Sequence, residues 1–131
     1  MKTDWATVGL VTLASGFAGF AAENALFCSH GAPANTCPLR HSANAPNLPF
    51  LPVYAVGGAA VALLAPHLAD LHPVGKALVY AGALTAVEAA AGYGERAMGR
   101  ESWDYGGSPV DLSHAALWGA LGLGLDKLLR L

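Results

Sequence analysis

The chain has 131 residues, a formal net charge of −2 at pH 7, and only 12% charged residues against 54% hydrophobic ones. This length fits a single domain, and a slightly acidic chain without a basic patch excludes nucleic-acid binding through phosphate contacts. The sequence also lacks a phosphate-binding loop, a serine nucleophile elbow and an HExxH metal motif. Its charges lie between apolar segments rather than along helix faces, which predicts a membrane protein rather than a soluble bundle.

Four apolar segments predict an all-α fold, a four-helix transmembrane bundle that forms one integral membrane domain over residues 1–131. A spanning helix needs about 20 apolar residues, so the first and third segments are long enough and the second and fourth are short. The predicted helices cover about residues 5–27, 49–66, 74–95 and 111–129.

The first segment also has features of a secretory signal. Lys2 precedes the apolar run, and small residues stand near its end at Ala21 and Ala22. The apolar run is long for a signal peptide, so a retained first helix is the favoured interpretation and cleavage is the alternative.

The connection between the first two helices contains both cysteines. Cys28 and Cys37 flank a stretch rich in Pro, Gly and Asn, which favours a disulfide in an oxidising compartment. Together with His30 and His41 they offer a tetrahedral metal shell as an alternative, but the tight cysteine pairs of zinc motifs are missing. We therefore predict a disulfide and no metal, with free thiols as the remaining possibility.

Prolines make the start of the second helix irregular, because proline removes a backbone donor and restricts the residue before it. A proline-rich entrance to this helix is therefore part of the predicted fold. The prolines concerned are Pro33, Pro38, Pro46, Pro49 and Pro52.

Charge asymmetry predicts the orientation. With four spans the two termini share one side, and the positive-inside rule makes that side cytoplasmic. This places the chain in the bacterial inner (cell) membrane with the cysteine-containing loop outside, where a disulfide is stable. The basic residues on the cytoplasmic side are Lys2, Lys76, Lys127 and Arg130, against Arg40, Arg96 and Arg100 on the other.

Two glutamates stand inside apolar segments, at Glu23 and Glu88. In hydrocarbon a carboxylate costs roughly 2 to 4 kcal/mol, so such residues usually have a partner and a function. Both lie toward the same end of the predicted bundle, and we expect them to meet the polar stretch after the third helix. The predicted ligand-binding residues are Glu23, Tyr54, Glu88, Glu95, Arg96, Arg100, Trp103, Asp104, Tyr105 and His114.

Each of these residues also has a purely structural interpretation. Either glutamate can pair with Arg96 or Arg100, and Trp103 and Tyr105 are typical of the aromatic belt at the membrane interface. In addition, Asp104 or Asp111 can cap the fourth helix. His114 is more often a hydrogen-bonded helix contact than a ligand.

Four short segments form an ordered pattern along the chain: Pro49 to Ala59, Thr85 to Glu88, Gly94 to Arg96 and Trp103 to Tyr105. In this order they resemble the CmpB-like family of ABC-transporter type IV membrane proteins, and the resemblance covers most of the chain. The family also has a Glu late in its first helix, which matches Glu23, but it follows Trp-Asp-Tyr with a Gly-Arg pair that this chain lacks. The resemblance implies a polytopic membrane protein.

The leading functional hypothesis is a non-enzymatic, transporter-like component or an accessory subunit, with membrane lipids and other membrane subunits as partners. One alternative is an intramembrane enzyme that acts on a lipid or lipid-linked substrate, with Glu23, Glu88 and Asp104 as acid and base candidates. A second alternative is a subunit in which His114 ligates a haem or chlorin. The sequence itself identifies no cofactor.

Overall fold

The computed structural model describes residues 2–23, 25, 51–99, 103 and 105–131. These residues form four α-helices and one short 3₁₀ helix, and they contain no strand, so the all-α prediction is confirmed. The helices are α1 (Trp5–Glu23), α2 (Pro52–Leu64, continued by the 3₁₀ helix Ala65–Leu68), α3 (Pro73–Ala97) and α4 (Leu112–Leu129).

The helix ends follow local sequence. Both α2 and α3 begin with a proline, at Pro52 and Pro73, where the fixed φ of proline suits the first helical turn. The helix α1 is described up to Glu23, and most of the remainder of the predicted helix, up to residue 27, lies outside the described residues. The proline-rich entrance before residue 51 and the predicted disulfide between Cys28 and Cys37 lie outside the described residues.

The helices α1 and α2 form an antiparallel hairpin with close backbone contact. Gly19 faces Tyr54, and Gly58 faces Ser15. A Cβ atom on either glycine would overlap the facing side chain. The backbone N–H of Leu51 also donates to the carbonyl of Gly16, at 3.0 Å, which fixes the start of α2 against α1.

The helices α3 and α4 form a second antiparallel hairpin of the same kind. Gly119 lies against the backbone of Ala77, and Gly122 lies against the Tyr80 side chain. Small residues at these crossings allow the helix backbones to pack closely.

The two hairpins meet in a small core. Tyr80, Leu84 and Val61 are buried there, with Tyr80 fully inaccessible. At the end where α2 and α4 finish, the guanidinium of Arg130 donates to the carbonyl oxygen of Ala65, at 2.7 Å. Contacts within each hairpin are much more extensive than those between hairpins.

Two of the described helices, α1 and α3, are long and apolar enough to cross a membrane, with mean hydropathies of 1.5 and 1.3. The continuous segment Pro52–Leu68 is a shorter apolar helix. The length and apolar composition of these helices support membrane insertion only weakly, because the core helices of soluble proteins and signal sequences can be equally long and apolar.

Replacement of Gly19 tests the first hairpin. The change Gly19→Ala places a methyl group against the Tyr54 ring, and overpacking of this kind destabilises by about 1 to 3 kcal/mol. The matched control is Gly9→Ala in the same helix, where an added Cβ has no neighbour within 4 Å. Thermal unfolding in detergent should show a lower midpoint for Gly19→Ala only. Equal midpoints for the two variants would contradict the close contact.

Candidate functional site

Side chains from all four helices meet where α1 and α3 end and where α2 and α4 begin. We call this group the carboxylate network. Because the hairpins are antiparallel, four separate chain segments converge at this end of the bundle. The members of the network are Glu23, Tyr54, Glu88, Tyr105, His114 and Trp118.

Glu23 is held by Tyr54. The phenol hydroxyl of Tyr54 donates to Oε1 of Glu23, at 2.5 Å, and this bond links α1 to α2. The Tyr54 ring also meets Trp118 of α4 edge to face, with 5.6 Å between ring centroids. Tyr54 therefore connects three helices.

Glu88 lies deeper, with only 5% of its surface exposed. Its Oε2 accepts a hydrogen bond from the Tyr105 hydroxyl, at 3.2 Å. Glu23 and His114 are both close enough to Glu88 to affect it electrostatically. The structure thus brings the two glutamates into one polar network instead of leaving either one on the outer surface.

Tyr105 belongs to the loop before α4 and covers the network. Its ring lies 4.3 Å from the His114 ring, centroid to centroid. Burial, followed by the neighbouring Glu88 carboxylate, raises the pKa of the Tyr105 phenol well above its usual value. Tyr105 is therefore a persistent donor to Glu88.

The loop after α3 is fixed by backbone contacts. The indole N–H of Trp103 donates to the carbonyl of Pro109, at 2.8 Å, and the Arg96 guanidinium donates to the carbonyls of Gly107 and Trp103, at 3.2 and 3.4 Å. Gly107 has φ +103°, a conformation that side chains disfavour and glycine allows. These contacts position Tyr105 over the bundle.

Asp111 occupies the position before the first residue of α4. Its carboxylate accepts from the Ser113 hydroxyl, at 2.6 Å, and lies 3.3 Å from Nδ1 of His114. These two contacts, the Ser113 bond first, hold the pKa of Asp111 below its usual value. His114 is thus held between Asp111 and Tyr105, as expected of a hydrogen-bonded helix contact.

The remaining predicted residues are distributed as follows. Glu95 is buried near the end of α3, and Arg96 positions the loop. Arg100 and Asp104 lie outside the described residues, as do Cys28 and His30 with the rest of the alternative metal shell. Within the described residues no group of three or more His, Cys, Asp or Glu side chains is arranged to hold a metal ion.

Sequence reasoning missed two features. Trp118 was not a candidate, because an indole in an apolar helix is usually a packing residue. The second feature is a group at the opposite end of the bundle, which we call the Asp126 cluster and which consists of Lys76, Tyr80, Asp126 and Arg130.

Asp126 is the centre of this cluster, with 1% of its side chain exposed. It accepts from Lys76 at 3.3 Å, from Tyr80 at 2.8 Å, and from Arg130 at 2.8 and 2.9 Å. Lys76 and Tyr80 are four residues apart on α3, as are Asp126 and Arg130 on α4. This spacing puts each pair on one helix face, but only the fold shows that the two faces meet.

Comparison of the chain with family models, with curated proteins and with solved structures finds no match. The resemblance to the CmpB-like family therefore stays a prediction that rests on its motifs.

The Tyr105 contact can be tested by removal of one oxygen. The change Tyr105→Phe removes the donor to a buried carboxylate oxygen and should destabilise the protein by about 1 to 3 kcal/mol. The control is Tyr93→Phe on α3, where the side chain is exposed. Denaturant unfolding in detergent measures both. A Tyr105→Phe variant as stable as the control would show that the loop does not hold Glu88.

The Asp126 cluster allows a stronger test. The change Asp126→Asn leaves the buried Lys76 without its anion, and loss of one partner of a buried ion pair costs roughly 3 to 5 kcal/mol. The control is Lys127→Gln, which removes a charge from an exposed residue of the same helix. We expect a large loss of folded protein for Asp126→Asn only. Similar stability of the two variants would contradict the role of this ion cluster.

Proposed function

We propose that the chain is a four-span integral membrane protein that acts as a transporter-like component or accessory subunit of a membrane complex, without catalysis of its own. The observation that carries this proposal is that large apolar side chains lie on the outside of the bundle and charged side chains lie inside it. Large apolar side chains such as Leu10 and Leu78 are 70% exposed, whereas Glu88 and Asp126 are buried. A soluble bundle buries its large apolar side chains and exposes its charged ones. A membrane bundle exposes apolar side chains to lipid and keeps its charged side chains inside.

The burial of the candidate spans supports the same proposal. Only 22% of each apolar window in α1 and α3 is buried within the chain. A core helix of a soluble protein would be mostly buried. The rest of each helix is an apolar surface that suits lipid or a neighbouring membrane helix.

Retention of α1 as a permanent helix is supported by its contacts. Ser15 and Gly19 pack against α2, and Glu23 accepts the Tyr54 hydroxyl. Removal of α1 as a signal peptide would leave this face of α2 uncovered.

The two shorter helices complete the proposed four spans. The continuous segment Pro52–Leu68 reaches the lower limit of about 17 residues for a spanning helix. In α4 the charge of Asp126 is offset by Lys76 and Arg130, which lowers the cost of burying it. Separately, the basic residues near the two termini, Lys2, Lys127 and Arg130, support cytoplasmic termini in the bacterial inner membrane.

The carboxylate network is the proposed contact site for a ligand or a partner. Acidic residues inside a membrane bundle commonly mark substrate or ion pathways. Glu23 and Glu88 are both oriented by tyrosines, and the resemblance to the CmpB-like family favours a transporter-like component. Because these 131 residues contain no nucleotide-binding motif, ABC-type activity would require a nucleotide-binding unit outside them.

Purification from native membranes tests the proposal. The protein should resist alkaline carbonate extraction and retain a partner subunit in mild detergent. The change Glu88→Gln should reduce partner retention at least fivefold, whereas Asp70→Asn should not. Release by carbonate would overturn membrane integration. A partner-free protein that turns over a lipid-linked substrate would replace the subunit hypothesis with the enzyme alternative.

A further inference from the structure

A groove follows the outer surface of the second hairpin, between α3 and α4, and we call it the α3–α4 groove. It has a volume of about 290 Å³ and is lined by apolar residues. The lining extends on α3 from Pro73 to Ala81 and on α4 from Ala116 to Leu123. Val74 and Leu78, which belong to this lining, are exposed, so the groove opens to the outside of the bundle.

Small side chains explain why the groove exists. The buried Gly119 lies against the backbone of Ala77, and Ala81 and Ala116 also line the groove. Short side chains leave space beside the point where the two helices touch, whereas the longer, exposed side chain of Leu78 forms a wall. The groove is therefore a consequence of the same close helix contact that holds this hairpin together.

The dimensions of the groove favour a single alkyl chain. From Pro73 to Ala81 the rise of α3 is roughly 12 Å, which is less than the thickness of one leaflet of the hydrocarbon layer, about 15 Å. Because α3 begins at Pro73, the groove starts at the cytoplasmic interface of the proposed membrane orientation. One turn of a helix with its side chains occupies roughly 400 Å³, so the groove admits an alkyl chain and not a further helix.

A positive charge lies at the interfacial end of the groove. Lys127 is exposed and stands one turn after Leu123 on the same face of α4. Within the part of the chain that the structure describes, Lys127 makes no ion pair. The acidic groups at this end have other cations, because Asp126 is paired within its cluster and Asp70 lies close enough to Arg130 to interact with it electrostatically.

We propose that the α3–α4 groove binds one acyl chain of an anionic phospholipid, whose phosphate pairs with Lys127. An apolar groove within one leaflet suits the chain, and an exposed ammonium at its interfacial end suits the negative headgroup. Basic residues at the cytoplasmic side of membrane helices commonly bind such headgroups. The proposal rests on the proposed membrane function, and it adds a specific lipid to it.

Lipid binding to the purified protein tests the proposal. Phosphatidylglycerol, or the zwitterionic phosphatidylcholine, is added to the protein in detergent, and native mass spectrometry measures the dissociation constant of the first bound lipid. We expect phosphatidylglycerol to bind about fivefold more tightly, which is about 1 kcal/mol, because one lysine near an anionic lipid surface contributes about that much.

Two variants test the two parts of the site. The change Lys127→Gln should weaken phosphatidylglycerol binding about fivefold and leave phosphatidylcholine binding unchanged. The change Ala116→Leu places a larger side chain in the groove and should weaken the binding of both lipids at least fivefold. The controls are Lys2→Gln, which removes an exposed charge near the start of α1, and Ala120→Leu, which enlarges an exposed residue of α4.

The unfolding midpoint in lipid-free detergent verifies the fold of each variant and should match that of the wild type. Lys127 is exposed, so its variant keeps the test decisive even if Ala116→Leu unfolds. Equal affinity of the wild type for the two lipids would overturn the proposal. An equal loss for Lys127→Gln and Lys2→Gln would also overturn it, because general attraction to a charged surface would then explain the binding.

A second copy of the chain is the competing occupant of the groove. A dimer in lipid-free detergent that Ala116→Leu dissociates would identify this occupant and overturn the lipid site. Failure of the lipid site is distinct from failure of the proposed function, because carbonate extraction tests membrane integration separately. A protein that resists carbonate but shows no preference for phosphatidylglycerol would refute the lipid site alone.

Discussion

A charged group inside an apolar bundle must find its partners within the chain, and the rest of this structure depends on that constraint. Asp126 satisfies it with two cations and a phenol, whereas Glu23 and Glu88 satisfy it with phenols. The charged ends of Lys76 and Arg130 bring α3, α4 and the end of α2 together. Polar contacts thus act at both ends of a bundle whose two hairpins share a small apolar core.

Glycine makes these contacts possible through the same arrangement in each hairpin. Tyr54 packs on Gly19 and donates to Glu23, the residue four positions after that glycine. In the other hairpin, Tyr80 packs on Gly122 and donates to Asp126, again four positions later. In both cases the glycine lets a tyrosine of the antiparallel neighbour lie flat against the helix, so that its hydroxyl reaches a carboxylate one turn away.

Hydropathy was sufficient to predict the all-α fold and most of the helix ends. The location of Glu23 and Glu88 at the same end of the bundle was also predictable, because antiparallel helices bring the ends of α1 and α3 to one side. The contacts of Asp126 with Lys76 and Tyr80 were not predictable, since these residues are 50 and 46 positions away and only packing selects the facing side. For Trp118 the sequence carried no polar pattern, and its role became visible only from its contact with Tyr54.

Membrane topology is the most direct test of the central claim, that this bundle crosses a membrane four times with its polar groups inside. Single cysteines at Asp70, Met98 and Leu131, three exposed residues, are introduced after Cys28 and Cys37 are changed to serine. A membrane-impermeant maleimide should label position 98 in intact cells, and positions 70 and 131 only after permeabilisation. Labelling of all three positions from the same side would contradict the four-span account.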